Sequence, residues 1–186
     1  MTTHMPALPG TDVRHGFGSG LTQSGVKRPP GMLSDAPECA REEAVVPGGF
    51  SACGLDGRPR NAGQARKFAA STLHNWALRP LVADVELIVS ELVGNAVRHA
   101  LPPAAPRTDE YPVWLGLFRY SSHLVCAVTD PSPAPPRLGD PGPDASGGRG
   151  LFLVNSLSDS WSWRLPPPAG KTVWACLPLP EQQGPT

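Results

Sequence analysis

Charge is scarce in this 186-residue chain: 17% of its residues are Asp, Glu, Lys or Arg, against roughly a quarter in ordinary globular domains. The two signs cancel, with 16 basic and 16 acidic residues. A neutral chain has no long-range field to attract polyanions, so no direct nucleic-acid or membrane partner is expected. No apolar run approaches the ~20 residues needed to cross a bilayer. The opening MTTHMPALPGTDVRHG has neither the basic nor the apolar region of a secretory signal. Cysteine is sparse too, and Cys39, Cys53, Cys126 and Cys176 lie far apart with no C-x-x-C spacing. That pattern argues against a zinc site or a disulfide framework and predicts free thiols in a reducing cytoplasm. His74, His99 and His123 have no metal-ligand spacing and read as structural or solvent-facing. No nucleophile-elbow signature occurs.

What the chain has in quantity is glycine (20) and proline (24), together close to a quarter of its residues. Residues 1–48 carry much of this excess, with only scattered Leu, Val and Met. Such a segment buries too little apolar surface to offset the entropy of ordering, so it is expected to be mostly disordered. A single folded domain is expected over 49–180, followed by a short tail at 181–186.

Within that span Ala65, Phe68, Ala69, Leu73 and Trp76 recur at helical spacing, which predicts a helix over 61–77 with Asn61 as its N-cap. Pro80 keeps it from running further. A second helix is predicted over 81–100, stopped by Pro102 and Pro103. Strands are predicted over 113–120 and 124–129, with Ser121 and Ser122 turning between them. Residues 130–146 form a long Pro/Gly/Asp loop, a length that in compact domains usually marks a lid or another functional loop. A short helix is predicted over 151–157 and a last hairpin over 161–165 and 171–177. This order predicts an α+β two-layer sandwich, with helices on one face of a mixed, mainly antiparallel sheet.

Three places in this scheme carry chemistry. In VELIVSELVGNAVRHA (85–100) the apolar residues Val85, Val89, Leu92, Val93, Ala96 and Val97 take one helical face. Glu91 and Asn95 sit one turn apart on the other, placing a carboxylate that can take a proton beside an amide oxygen that can hold a metal ion. An ordinary solvated helix face reads equally well from this segment alone. Glycines 147, 148 and 150, with Arg149 among them, precede a helix and form a candidate phosphate cradle. A glycine hinge is the plainer alternative. Asp130 ends a strand and opens the loop; its acceptor-only carboxylate suits the exocyclic amine of adenine, although Asp-Pro is also a common turn. Gly170-Lys171-Thr172 is not a Walker A loop, because Leu165 stands where the first glycine belongs and a strand follows. Gly148-Arg149-Gly150 is not a dinucleotide fingerprint, since position 153 is Leu.

Taken in order, SELVGNAVRHA (90–100), VTDPSPAPP (128–136), GGRGLFLV (147–154) and GKTVWACLPL (170–179) resemble the N-box, two glycine boxes and closing strand of the GHKL ATPase/kinase superfamily. The likeness covers about residues 50–179 and is nearest to the small anti-sigma-factor serine/threonine kinases. It implies ATP and Mg2+ as cofactors, Glu91 as general base and Asn95 as the Mg2+ ligand. It further implies that Asp130 binds the adenine amine with help from Thr172 through water, and that Gly148, Arg149 and Gly150 hold the phosphates. The implied function is an ATP-dependent kinase that phosphorylates a small anti-anti-sigma-type protein and sequesters a sigma factor. Relatives are commonly homodimers, a state that neutral charge permits. The chain departs from the D-x-G-x-G pattern at Asp130-Pro131-Ser132-Pro133-Ala134, where both glycines are absent. That departure favours the alternative of a non-catalytic, ATP-responsive module that works by holding a partner. At 186 residues the chain is not expected to be a topoisomerase, chaperone or mismatch-repair member.

Overall fold

Apolar residues alternating at period two and at helical period build two layers here. The computed structural model describes residues 47–101, 111–136, 150–166 and 169–180, together with Val13–Gly16 and Cys39. In chain order the elements are β1 (Val13–Gly16), β2 (Gly49–Leu55), α1 (Asn61–Asn75), α2 (Val82–His99), β3 (Val113–Arg119), β4 (His123–Asp130), α3 (Gly150–Leu157), β5 (Ser160–Arg164) and β6 (Lys171–Pro178). The six strands form one sheet in the order β1-β2-β3-β4-β6-β5. Each neighbouring pair is antiparallel, so the sheet is antiparallel throughout rather than mixed among the described residues. The α+β class expected from the sequence is what the chain adopts.

One face of the sheet carries the main core. Cys53, Leu115, Val128, Val173 and Trp163 occupy one row across five strands. They pack with Phe68 and Leu73 of α1, Val85, Val89, Leu92 and Val93 of α2, and Leu151 and Val154 of α3. Alternation sends the intervening residues to the opposite face, where Phe118, Tyr120, Val125, Ala127 and Cys176 form a smaller apolar cluster. Phe50 and Phe118 stack there with ring centroids 5.0 Å apart.

Several local expectations need correction. Asn61 is the first residue of α1, and Arg60 occupies the cap without a side-chain bond. The buried Asn61 side chain instead ties down the preceding loop: its Oδ1 accepts from the Arg58 N–H at 2.7 Å and its Nδ2 donates to Asp56 at 2.9 Å. Helix α1 ends with Ala77 at φ 58°, where the Leu78 N–H closes back on the Leu73 carbonyl at 2.8 Å. Pro80 lies in a short 3-10 turn (Arg79–Leu81) that leads into α2.

Strands β1 and β2 escaped the sequence reading, and β1 lies inside the segment expected to be mostly disordered. Most of the 131–146 loop, the 1–48 extension and the 181–186 tail lie outside the described residues. The thiol expectation holds for Cys53 and Cys126 only; Cys39 and Cys176 are joined as a disulfide. Complete burial pushes the Cys126 thiol up to about 12, which keeps it protonated and unreactive. No helix among the described residues is long and apolar enough to cross a membrane.

Candidate functional site

Helix α2 crosses the sheet with Val85, Ile88, Val89, Leu92, Val93 and Ala96 buried beneath it. That packing fixes the helix roll and leaves Glu91, Asn95 and Arg98 on the side away from the core. Asp84 in the first turn and Arg98 and His99 in the last match the sign of the helix dipole. Arg98 Nη2 donates to Asn95 Oδ1 at 3.0 Å and stands 4.0 Å from Glu91 Oε2. The side chains of Arg98 and Glu91 are 60% and 33% exposed, so this arrangement is open to solvent and loosely held. Arg98 was not singled out by the sequence reading, yet its spacing of three from Asn95 and seven from Glu91 puts it on the same stripe.

The N-terminus of α3 closes on this stripe. A Cβ built on Gly150 would lie 2.4 Å from Glu91 Oε2 and 3.6 Å from Asn95 Nδ2. Only glycine lets this backbone approach the carboxylate and the amide so closely. Gly150, the first described residue of α3, is therefore brought together with Glu91 and Asn95. Gly148 and Arg149 lie outside the described residues.

A second cluster forms where β4 ends beside the start of β6. Asp130 pairs with Lys171 in register, and both side chains are buried, at 2% and 9% exposure. Lys171 Nζ donates to Asp130 Oδ1 at 2.9 Å and to the Ser132 carbonyl at 3.4 Å. The Ser132 N–H also donates to Asp130 Oδ1, at 2.9 Å. Burial raises the Asp130 carboxyl above its usual range, while the Lys171 ammonium and the Ser132 N–H pull it back down. Gly170 makes this approach feasible: its φ is 91°, and a Cβ there would stand 2.3 Å from the Asp130 carbonyl oxygen.

Alternation separates Asp130 from Thr172. Asp130 shares the helix-covered face with Val128, and Lys171 shares it with Val173. Thr172 falls on the opposite face, where its hydroxyl and that of Thr129 bond at 2.8 Å. The structure thus brings Lys171, and not Thr172, to the side chain of Asp130. The signal was available in the strand period: two residues before Val173 must share its face.

A family model for a histidine kinase-like ATPase domain matches residues 55–177. That span contains both clusters and every element from α1 through most of β6. No curated protein matches the chain.

Proposed function

The chain belongs to the histidine kinase-like ATPase domain family, and from that premise we propose that it is an ATP-dependent regulatory protein serine/threonine kinase of the anti-sigma-factor type. Membership implies ATP binding; the kinase step rests on the site. The observation that carries it is the convergence of a carboxylate, an amide and a glycine-started helix at Glu91, Asn95 and Gly150. Asp130 would accept from the exocyclic amine of adenine, and the phosphates would lie at the N-terminus of α3, where Gly148 and Arg149 precede Gly150 in the chain. Arg98 supplies positive charge on the same stripe.

The donor set fits Mg2+. Among the described residues no group of three His, Cys, Asp or Glu could hold a metal by itself. Mg2+, however, normally takes one or two protein oxygens, waters and substrate phosphates. Asn95 Oδ1 is such an oxygen, and Arg98 has only to turn away from it. When bound there, Mg2+ would offset the negative charge of the phosphates.

In this reading Glu91 accepts the proton of a serine or threonine hydroxyl on the protein substrate. The hydroxyl oxygen bonds to the γ-phosphorus as the bond to the β,γ-bridging oxygen breaks, and ADP leaves. The proton on Glu91 then passes to solvent through its exposed edge. The substrate class is a small anti-anti-sigma-type antagonist, with a sigma factor as the sequestered partner and a homodimer as the working state.

Calorimetric titration with ATP, with and without Mg2+, tests the first step. Metal-dependent saturation followed by phosphotransfer to a serine-bearing antagonist supports the kinase; absence of binding at millimolar ATP overturns it. One observation favours a second reading. Ser132 and Ala134 stand where the D-x-G-x-G pattern has glycines, and Pro131 and Pro133 stiffen the loop, which suits a module that binds ATP weakly and acts by holding a partner. ATP binding without transfer would select that reading.

A further inference from the structure

We propose that Lys171 reads the base directly, donating to the ring N1 of a 6-aminopurine while Asp130 accepts from the adjacent exocyclic amine. This deepens the proposed function and rests on its assignment of Asp130 to the base pocket. The pair is built for it. Among the described residues the two hydrogen bonds to the Asp130 carboxylate both go to Oδ1, from Lys171 Nζ and from the Ser132 N–H, each at 2.9 Å. Its Oδ2 therefore remains an acceptor without a partner among the described residues. The Lys171 ammonium has three donors; one goes to Asp130 and one to the Ser132 carbonyl at 3.4 Å. The third remains. The bonded pair thus has one acceptor and one donor to spare on adjoining side chains, the complement of the donor and acceptor that adenine presents at N6 and N1.

Strand register assigns this role to Lys171 rather than to its neighbour. Lys171 lies on the helix-covered face with Asp130, whereas Thr172 is bonded to Thr129 across the sheet. Gly170 lets the start of β6 run against the carbonyl of Asp130, so the lysine stem has a short path to the carboxylate. Burial matters as well. With side-chain exposures of 2% and 9% the pair is shielded from water, and a buried donor left unmatched penalises a ligand that cannot accept from it. A lysine that served only to neutralise Asp130 would be indifferent to the atom at purine position 1.

The test compares ATP with 1-deaza-ATP, in which a C–H replaces N1 and the exocyclic amine is kept. Calorimetric titration of the wild-type protein should show 1-deaza-ATP binding about tenfold more weakly, the usual scale of one charged-donor contact. In Lys171→Met the two nucleotides should bind alike, and Lys171→Arg, which keeps a charged donor, should restore part of the difference. The wild-type comparison needs no variant, so a folding defect in Lys171→Met leaves the proposal falsifiable. Equal binding of both nucleotides to the wild type overturns the lysine contact while leaving the ATP site standing. Discrimination that persists undiminished in Lys171→Met overturns it as well. Failure of the wild type to bind either nucleotide overturns both this contact and the ATP site beneath it.

Discussion

The two candidate clusters are held in opposite ways. At the junction of α2 and α3, Glu91 and Arg98 are partly exposed and stand 4.0 Å apart. At the end of β4, Asp130 and Lys171 are buried and bonded at 2.9 Å. Exposed ion pairs contribute little to stability because water and salt screen them, so the first cluster can rearrange around a ligand at small cost. Buried pairs persist only when well matched, and removing one partner is costly. The difference suits the ligand the family implies. Phosphates carry enough charge to organise loose cations around themselves, whereas a neutral base must be read by groups already in place.

The largest expected effect belongs to the open cluster and is kinetic. Glu91→Gln keeps the shape of the side chain and removes its proton-accepting charge. Phosphotransfer should fall by about 10²- to 10⁴-fold, the usual share of a general base, while thermal stability changes by no more than about 0.5 kcal/mol. A loss of stability as large as the loss of rate would show that this cluster is structural and would erase the contrast.

Next in size is a stability effect at the closed cluster. Gly170→Ala places a Cβ 2.3 Å from the Asp130 carbonyl at φ 91°, and the obstacle is backbone that cannot turn aside. Denaturant unfolding should show a loss of roughly 3 kcal/mol, the sum expected from a strained φ and a steric clash. An unchanged midpoint would mean that β4 and β6 are free to separate there.

Much of this was legible in the sequence because helical periodicity is a local signal. The apolar stripe of α2 placed Glu91 and Asn95 on one face, and Ser121 and Ser122 marked the turn between β3 and β4. Strand β2 was missed because GFSACGL has glycine at 49 and 54 and no clear alternation, since six of its seven residues are buried on a two-sided sheet. Nothing near Cys39 marks it for Cys176, which is 137 residues away. The pairing of Asp130 with Lys171 is likewise a product of register between strands, and one chain does not display register locally. Thr172 was carried over by likeness, whereas the strand period by itself favours Lys171.

The third prediction concerns protonation at the closed cluster. Burial raises the Asp130 carboxyl above its ordinary value. For an acid raised in the folded state, the stability it contributes is complete below the unfolded pKa, about 3.9, and is lost as pH rises through the folded value. Under the proposed base contact the dependence runs the other way, because the anion is what leaves Oδ2 free to accept. ATP affinity should therefore decline as pH falls through the raised Asp130 value. Asp130→Asn should weaken binding by roughly 1–3 kcal/mol at neutral pH and flatten that decline. Titrations of both proteins across the same pH series separate the carboxyl from the nucleotide's own phosphate titration. A parallel decline in both proteins would remove Asp130 from the base pocket.

The smallest effect is the counterpart of Gly170→Ala at the open cluster. Gly150→Ala also creates a short contact, 2.4 Å from Glu91 Oε2. Here the obstacle is the free end of a flexible side chain one-third exposed to water. Glu91 can rotate into solvent, so the unfolding free energy should change by less than about 1 kcal/mol. What changes is the position of the carboxylate, and the loss should appear in phosphotransfer with the folded state intact. Identical chemistry at two glycines would then give a structural defect at one and a catalytic defect at the other. If Gly150→Ala destabilises the protein as much as Gly170→Ala, then α3 is packed rigidly against α2, and the open cluster is as fixed as the buried one.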